Sequence, residues 1–283
     1  MSKTIFEAYN DCKKQLDAAG IEDYVFESKQ IIKHITGYTN AQILTKYTQQ
    51  LTPFQENNLT AIIKQRLIHY PLQYIFGKWS FYGREFFVGP GVLIPRSDTE
   101  TLIDTSLELL KSKKAPQVLD LCAGTGCIGI TLKCERNDCT VTLVEKFESA
   151  LNYAQKNAKH NNAEVKIVKA DALKTEGADN LYDLIVSNPP YINQNDMQAL
   201  QAEVTFEPAD ALAGGEDGLL FYRHIAGNYK KYLKNGGVLA FEVGINQAEA
   251  VADIMARQGF ADIEKRADLN KIDRVVFGTL NRL

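Results

Sequence analysis

The chain has 283 residues, 45% of them hydrophobic and 24% charged, with a formal net charge of −3 and a pI near 5.9. That is an ordinary soluble globular composition, long enough for one large domain and a small one. It argues against a broad nucleic-acid surface, which needs clustered Lys and Arg, and no apolar run approaches the roughly 18 residues that span a bilayer. The N-terminus has acidic residues close behind it and no apolar core, so a cytosolic protein without a secretory signal is expected.

Cysteines stand at 12, 122, 127, 134 and 139 without a Cys-x-x-Cys knuckle, and His34, His69, His160 and His224 lie on separate segments. Reduced structural thiols are expected, and no metal is assigned.

Residues 1–70 read as a small helical bundle. Ile5, Tyr9, Cys12 and Leu16 form one amphipathic face ended by Gly20; Tyr24, Ile31, Ile32 and Ile35 form a second ended by Gly37. A short helix is expected over 41–47. Thr52-Pro53-Phe54-Gln55 then carries an N-cap Thr, Pro at the first helical position and a capping-box Gln, ahead of Leu59, Ile62, Ile63 and Leu67. Through residue 75 there are eight Lys or Arg against seven Asp or Glu, so charge alone supplies no DNA anchor; docking of a protein partner is favoured.

Residues 71–96 change texture to an aromatic hairpin linker. Residues 79–82 and 85–88 flank Gly83-Arg84, which places Gly at the first central position of a type II′ turn. Val92-Leu93-Ile94-Pro95-Arg96 leads into Ser97-Asp98-Thr99-Glu100, a capping box expected to open a helix over 98–113. From there to residue 283 the pattern alternates strand and helix. Strands are expected over 118–121, 140–144, 165–168, 184–187 and 238–243, and helices over 128–133, 149–160, 218–233 and 247–258. Two final strands, 261–266 and 274–279, have no helix between them, so the reading is an α/β domain whose parallel sheet finishes with an antiparallel pair.

Two motifs fall at strand ends. Asp120-Leu121-Cys122-Ala123-Gly124-Thr125-Gly126-Cys127 occupies the first strand-to-helix turn, where Gly124 and Gly126 let backbone approach a ligand beside a helix N-terminus. A full G-x-G-x-x-G is absent, which counts against NAD and FAD. Glu145 ends the second strand, 21 residues after Gly124, where an acid accepts from ribose hydroxyls. Asp120 is a candidate acceptor for a ligand ammonium, and Asp171-Ala172 follow the third strand where an adenine edge would lie. The second motif is Asn188-Pro189-Pro190-Tyr191, where two prolines force the chain out of the sheet. Its Asn188 side-chain oxygen and Pro189 carbonyl can each accept one N–H of a planar NH2 group, with the Tyr191 ring against that group's flat body. This grip aims the nitrogen lone pair at an electrophile. Together the motifs point to S-adenosylmethionine, with S-adenosylhomocysteine as product.

Pro71 to Gly77, Phe81-Tyr82-Gly83, Phe86 to Val88, Val92 to Arg96, Thr99-Glu100, Asp120 to Gly126, Asn188 to Tyr191, Glu207-Pro208, Ala211-Leu212, Gly214-Gly215 and Asp217-Gly218 carry a resemblance. Over essentially its whole length the chain resembles the PrmC/HemK family of peptide chain release factor glutamine methyltransferases. The resemblance implies a class I, Rossmann-like methyltransferase domain with a seven-stranded, mostly parallel sheet, joined by a β-hairpin to a helical bundle that docks a release factor. It also implies methylation of the Gln side-chain amide in the Gly-Gly-Gln motif of class 1 release factors. Asp120, residues 122–126, Glu145, Asp171, Ala172 and Asn188 would line the cofactor, and residues 188–191 the glutamine. A monomer with no direct nucleic-acid or membrane partner is expected. The chain departs from the family where Cys122-Ala123 replaces a frequent Gly-Thr, Glu145 a frequent Asp and Ala172 a frequent aromatic. The polar loop 192–218 is expected to cover the substrate, with Pro95-Arg96 at the same cleft or Arg96 paired with Glu100 or another acid. The rival readings are a DNA or RNA base amino-methyltransferase, since Asn-Pro-Pro-Tyr serves a flipped base equally well, and a non-enzymatic nucleotide-binding module.

Overall fold

The computed structural model describes residues 2–281, which form two compact units. The first comprises residues up to Gly77 together with Ala202–Phe206; the second takes in the rest, including the aromatic hairpin.

The first unit opens with α1 (Ile5–Ala18), started by a Thr4–Glu7 capping box, and α2 (Tyr24–Thr36), closed by Gly37 at φ 69°. After α3 (Asn40–Thr45), α4 (Pro53–Arg66) starts on the Thr52–Gln55 capping box that the sequence announces. The face carrying Ile5, Cys12, Leu16, Ile31, Ile32, Leu59 and Ile62 meets in one apolar cluster. A further short helix, α5 (Leu72–Phe76), was not expected; Pro71 precedes it and Gly77 at φ 71° ends it.

Arg66 is wholly buried in this unit. Its guanidinium donates to both oxygens of Glu27 at 2.8 and 3.0 Å, to the Tyr70 carbonyl at 2.6 Å and to Glu203 at 2.6 Å. Such a desolvated cation persists only with its charge matched and its donors occupied. The Phe206 ring meets Tyr70 edge-on, so an ion pair and an aromatic contact fix residues 202–206 in the unit.

In the second unit β1 (Lys78–Phe81) and β2 (Arg84–Phe87) pair antiparallel with Phe81 opposite Arg84. The turn's central residues are therefore Tyr82 and Gly83, at φ 49° and 68°, one position earlier than the sequence suggested. Positive φ at both defines type I′ rather than II′. Glu100 accepts from the Tyr82 amide at 2.8 Å and Asp104 from the Tyr82 hydroxyl at 2.6 Å, holding a non-glycine residue there. Glu100 is thereby taken from its expected cap: no side chain caps the chain at Arg96 or Thr99, a 3-10 turn covers Ser97–Thr99, and α6 runs only over Glu100–Leu110.

The large sheet contains β3 (Gln117–Leu121), β4 (Thr140–Glu145), β5 (Lys166–Lys169), β6 (Tyr182–Ser187), β7 (Leu233–Glu242), β8 (Ala261–Ala267) and β9 (Asp273–Leu280). Their order is β5-β4-β3-β6-β7-β9-β8, and β9 pairs antiparallel with both neighbours. This is the expected mostly parallel seven-stranded sheet with its terminal antiparallel pairing. Strand alternation divides the core into layers. Val118, Leu184 and Val186 join Leu102, Ile103, Ile128 and Ala154, from α6, α7 (Cys127–Glu135) and α8 (Glu148–His160). Leu119, Leu121 and Ile185 face the other way, against Tyr222, Ile225, Val251 and Met255 of α9 (Leu220–Asn228) and α10 (Ala248–Arg257). The helix expected over 218–233 gives way to a 3-10 turn at Tyr229–Tyr232, and β7 starts earlier than expected, at Leu233. The outermost strands carry charge: β5 exposes Lys166 and Lys169, and β8 bears Asp262, Glu264, Lys265 and Arg266. Among the described residues no helix is long and apolar enough to cross a membrane.

Candidate active site

The order β5-β4-β3-β6 places β3 and β6 side by side and parallel, so the glycine turn and the Asn188 segment leave the same rim of the sheet. The turn after β3 is tightly wound: Cys122, Gly124 and Gly126 have φ of 60°, 55° and 77°. Cys122 therefore occupies a left-handed conformation that suits glycine. A Cβ on Gly126 would sit 2.8 Å from the Ile130 methyl.

Glu145 fastens this turn to the end of β4. One carboxylate oxygen accepts from the Gly124 amide at 2.8 Å and the other from the Lys146 and Phe147 amides at 2.7 and 2.9 Å. Each carboxylate oxygen has two lone-pair sites, so the Oε2 that takes Gly124 can accept again. Asp120 does not reach the cavity. It is fully buried on β3, with Oδ2 accepting from the Gly129 amide at 2.9 Å and Oδ1 unpartnered, and burial pushes its carboxyl up to about 8. The expectation of an Asp120–ligand contact is corrected accordingly: a strand-interior side chain has turned under α7 instead of out into the loop.

A cavity of about 340 Å³ opens beside the turn. Of the residues singled out in the sequence, Cys122, Ala123, Gly124, Thr125, Glu145, Asp171, Ala172, Asn188 and Pro190 line it. Gly126, Pro189 and Tyr191 do not: Gly126 faces α7, Pro189 is buried, and Tyr191 packs with the cluster behind β7. The Tyr191 carbonyl accepts from Gln247 at 2.9 Å, and burial pushes its phenol up to about 12. Asn188 is half-buried, and its Nδ2 donates to the Thr99 hydroxyl at 3.3 Å.

The remaining walls come from Val92 to Arg96 and from Pro208, Ala211, Ala213 and Gly215 of the long loop. Arg96 both borders the cavity and pairs with Glu207, not with Glu100. Glu207 also accepts from the Ile94 amide at 2.9 Å, so this nearly buried carboxylate clips the loop to the Ile-Pro-Arg segment. Sequence reading missed Phe147, Leu173 and Phe221, which supply apolar wall. Phe147 was discoverable: it stands two residues beyond Glu145, at the strand end where an adenine face would lie.

A ligand cavity at the C-terminal rim of this strand order, over a glycine turn, defines the class I methyltransferase fold. Solved structures agree: a methyltransferase from Pyrococcus furiosus aligns at TM-score 0.53 and 17% identity over 72% of this chain and 92% of its own. The hMettl16 catalytic domain, in complex with an RNA hairpin, aligns at TM-score 0.55 and 14% identity over 79% and 92%. Residues 99–236 match the methyltransferase small domain and residues 7–77 the PrmC N-terminal domain. The chain belongs to the release factor glutamine methyltransferase family. It is 37% identical over 278 residues to the member from Geobacter sulfurreducens, covering 98% of this chain and 97% of that one. With the member from Thermodesulfovibrio yellowstonii the identity is 38% over 253 residues, covering 88% and 90%.

Proposed function

We propose that this protein methylates the side-chain amide nitrogen of the Gln in the Gly-Gly-Gln motif of class 1 peptide chain release factors, using S-adenosylmethionine. The observation that carries the reading is family membership over nearly the whole chain, joined to a rim cavity that holds both Asn188 and the glycine turn.

The residues present suit that cofactor. The cavity's volume lies within the roughly 300–1,000 Å³ usual for small-molecule sites, its walls at Phe147, Ala172 and Leu173 are apolar, and Glu145 offers an acceptor at the edge. Cys122 to Thr125, Asp171 and Asn188 would complete the lining. When bound, S-adenosylmethionine supplies a methyl group on an electrophilic sulfonium.

The chain's own contribution is positioning and charge. With Nδ2 engaged by Thr99, the Asn188 carboxamide has its oxygen left for a substrate N–H. Acceptance by that oxygen strengthens as positive charge develops on the attacking nitrogen, while Pro189, which does not line the cavity, stiffens the strand end behind it. Tyr191, packed behind the strand end, holds this backbone in place rather than stacking on the glutamine. The helical first unit, with Phe6, Val25, Phe26 and Phe54 exposed, serves as the docking module for the release factor. Incubation with labelled S-adenosylmethionine and unmethylated release factor, Gly-Gly-Gln→Gly-Gly-Ala release factor or DNA tests the assignment. Label entering only the first supports it, and label in DNA overturns it in favour of base methylation.

A further inference from the structure

Behind Asn188 lies a carboxyl group that the reaction as described does not use. Glu242 ends β7, and the parallel register that sets Phe241 beside Ser187 brings Glu242 alongside Asn188. It is 2% exposed, does not line the cavity, and its Oε2 has no hydrogen-bond partner. Its polar neighbours are Thr99 and Asn188, themselves joined by the bond from Asn188 Nδ2 to the Thr99 hydroxyl, and both favour its charged form. A buried carboxyl with an unused oxygen costs stability, so its presence calls for a compensating role.

The geometry points to Glu242 as a positioning residue for methyl transfer: its carboxylate stands behind the Asn188–Thr99 pair, biases the direction of the Asn188 carboxamide, and sets negative charge behind the oxygen that grips the substrate. The inference rests on the reading of Asn188 given above. Negative charge behind the carboxamide strengthens the Asn188 oxygen as an acceptor and favours the positive charge that grows on the attacking amide nitrogen. Protonation of Glu242 removes that charge and frees an O–H that competes for the same partners.

Glu242 is also placed to titrate in the working range. Burial pushes it up to about 7, against the opposing pull of the nearby Thr99 hydroxyl and the Arg274 charge, with Asp98 pushing it further up and Asn188 pulling it down. The other groups that sense it are Tyr191 and Cys127, each pushed by burial up to about 12, and Tyr222, pushed by burial well above the usual phenol range, so all three are silent near neutrality. Turnover should therefore rise with pH through about 7 as Glu242 loses its proton.

The test compares wild type, Glu242→Gln, Glu242→Asp and Asp120→Asn at pH 5.5–9, measuring kcat on unmethylated release factor and calorimetric affinity for S-adenosylmethionine. Glu242→Gln should lower kcat roughly 10- to 100-fold, shift cofactor affinity less than about threefold and abolish the rise with pH. Glu242→Asp should keep the rise with reduced turnover, and Asp120→Asn should leave it in place. Wild-type turnover in Glu242→Gln, a surviving rise, or an equal loss of cofactor affinity overturns the positioning role. Should Glu242→Gln fail to fold, a wild-type or Glu242→Asp profile flat across neutrality overturns it equally. A wild-type protein that methylates no release factor at any pH sinks the proposed function itself, and the role of Glu242 with it.

Discussion

Replacement of Asn188 by Ala is the most direct probe of the amide grip. Asn188 sits at the cavity wall with its Nδ2 committed to Thr99, so truncation removes one acceptor from the substrate side and leaves the glycine turn and Glu145 untouched. A hydrogen bond to a group that becomes charged contributes about 1.5–3 kcal/mol. At 1.36 kcal/mol per factor of ten, that predicts a fall in kcat of roughly 10- to 150-fold. Affinity for S-adenosylmethionine should change by less than about threefold, because the contact matters chiefly in the transition state. Steady-state kinetics with labelled cofactor and unmethylated release factor, together with calorimetry of the cofactor alone, separate the two quantities. A kcat within threefold of wild type, or an affinity loss as large as the rate loss, would refute the role given to Asn188.

Glu145→Ala should weaken S-adenosylmethionine binding by about tenfold or more, since it unties Gly124, Lys146 and Phe147 at once; unchanged calorimetric affinity would remove Glu145 from the site. Asp120 keeps its proton in the fold up to about pH 8 but loses it near pH 4 when unfolded, so the unfolded state binds fewer protons across that interval and this group makes stability fall as pH rises. Asp120→Asn keeps an acceptor for Gly129 and should flatten the decline in melting temperature between pH 5 and 8; an unaltered slope would show that Asp120 is not its source. Arg66→Ala strands Glu27, whose carboxyl burial already drives upward, and should cost about 3–5 kcal/mol in urea unfolding, with a change under 1 kcal/mol excluding the buried pair as a support.

The sheet was legible because buried strands such as Leu184-Ile185-Val186 and the spacing between glycine turn, Glu145 and Asn188 follow from periodicity and chain order alone. Where the reading slipped, a distant partner had intervened. Glu100 looked like a cap until the hairpin amide of Tyr82 claimed it, and that same contact helps a tyrosine hold a conformation normally left to Asn or Gly. Asp120 and Tyr191 sit within the right motifs, but strand pleating and packing behind β7 turn their side chains away from the cavity. Glu242 carried no local signature at all; only the β6–β7 register brings it beside Asn188. The seating of residues 202–206 by Arg66 likewise depends on a contact 137 positions apart in the chain.

Any open sheet leaves unpaired amides and carbonyls along its two outer margins, a template on which stray chains can polymerise. Here those margins are β5 and β8, and each presents lysine or mixed charge to an incoming strand. A visiting peptide would have to desolvate Lys166 and Lys169 on one side, or Glu264, Lys265 and Arg266 on the other, before forming a ladder. The molecule thus discourages fibre-like growth at both flanks by charge, independently of the residues that surround the cavity beside the glycine turn.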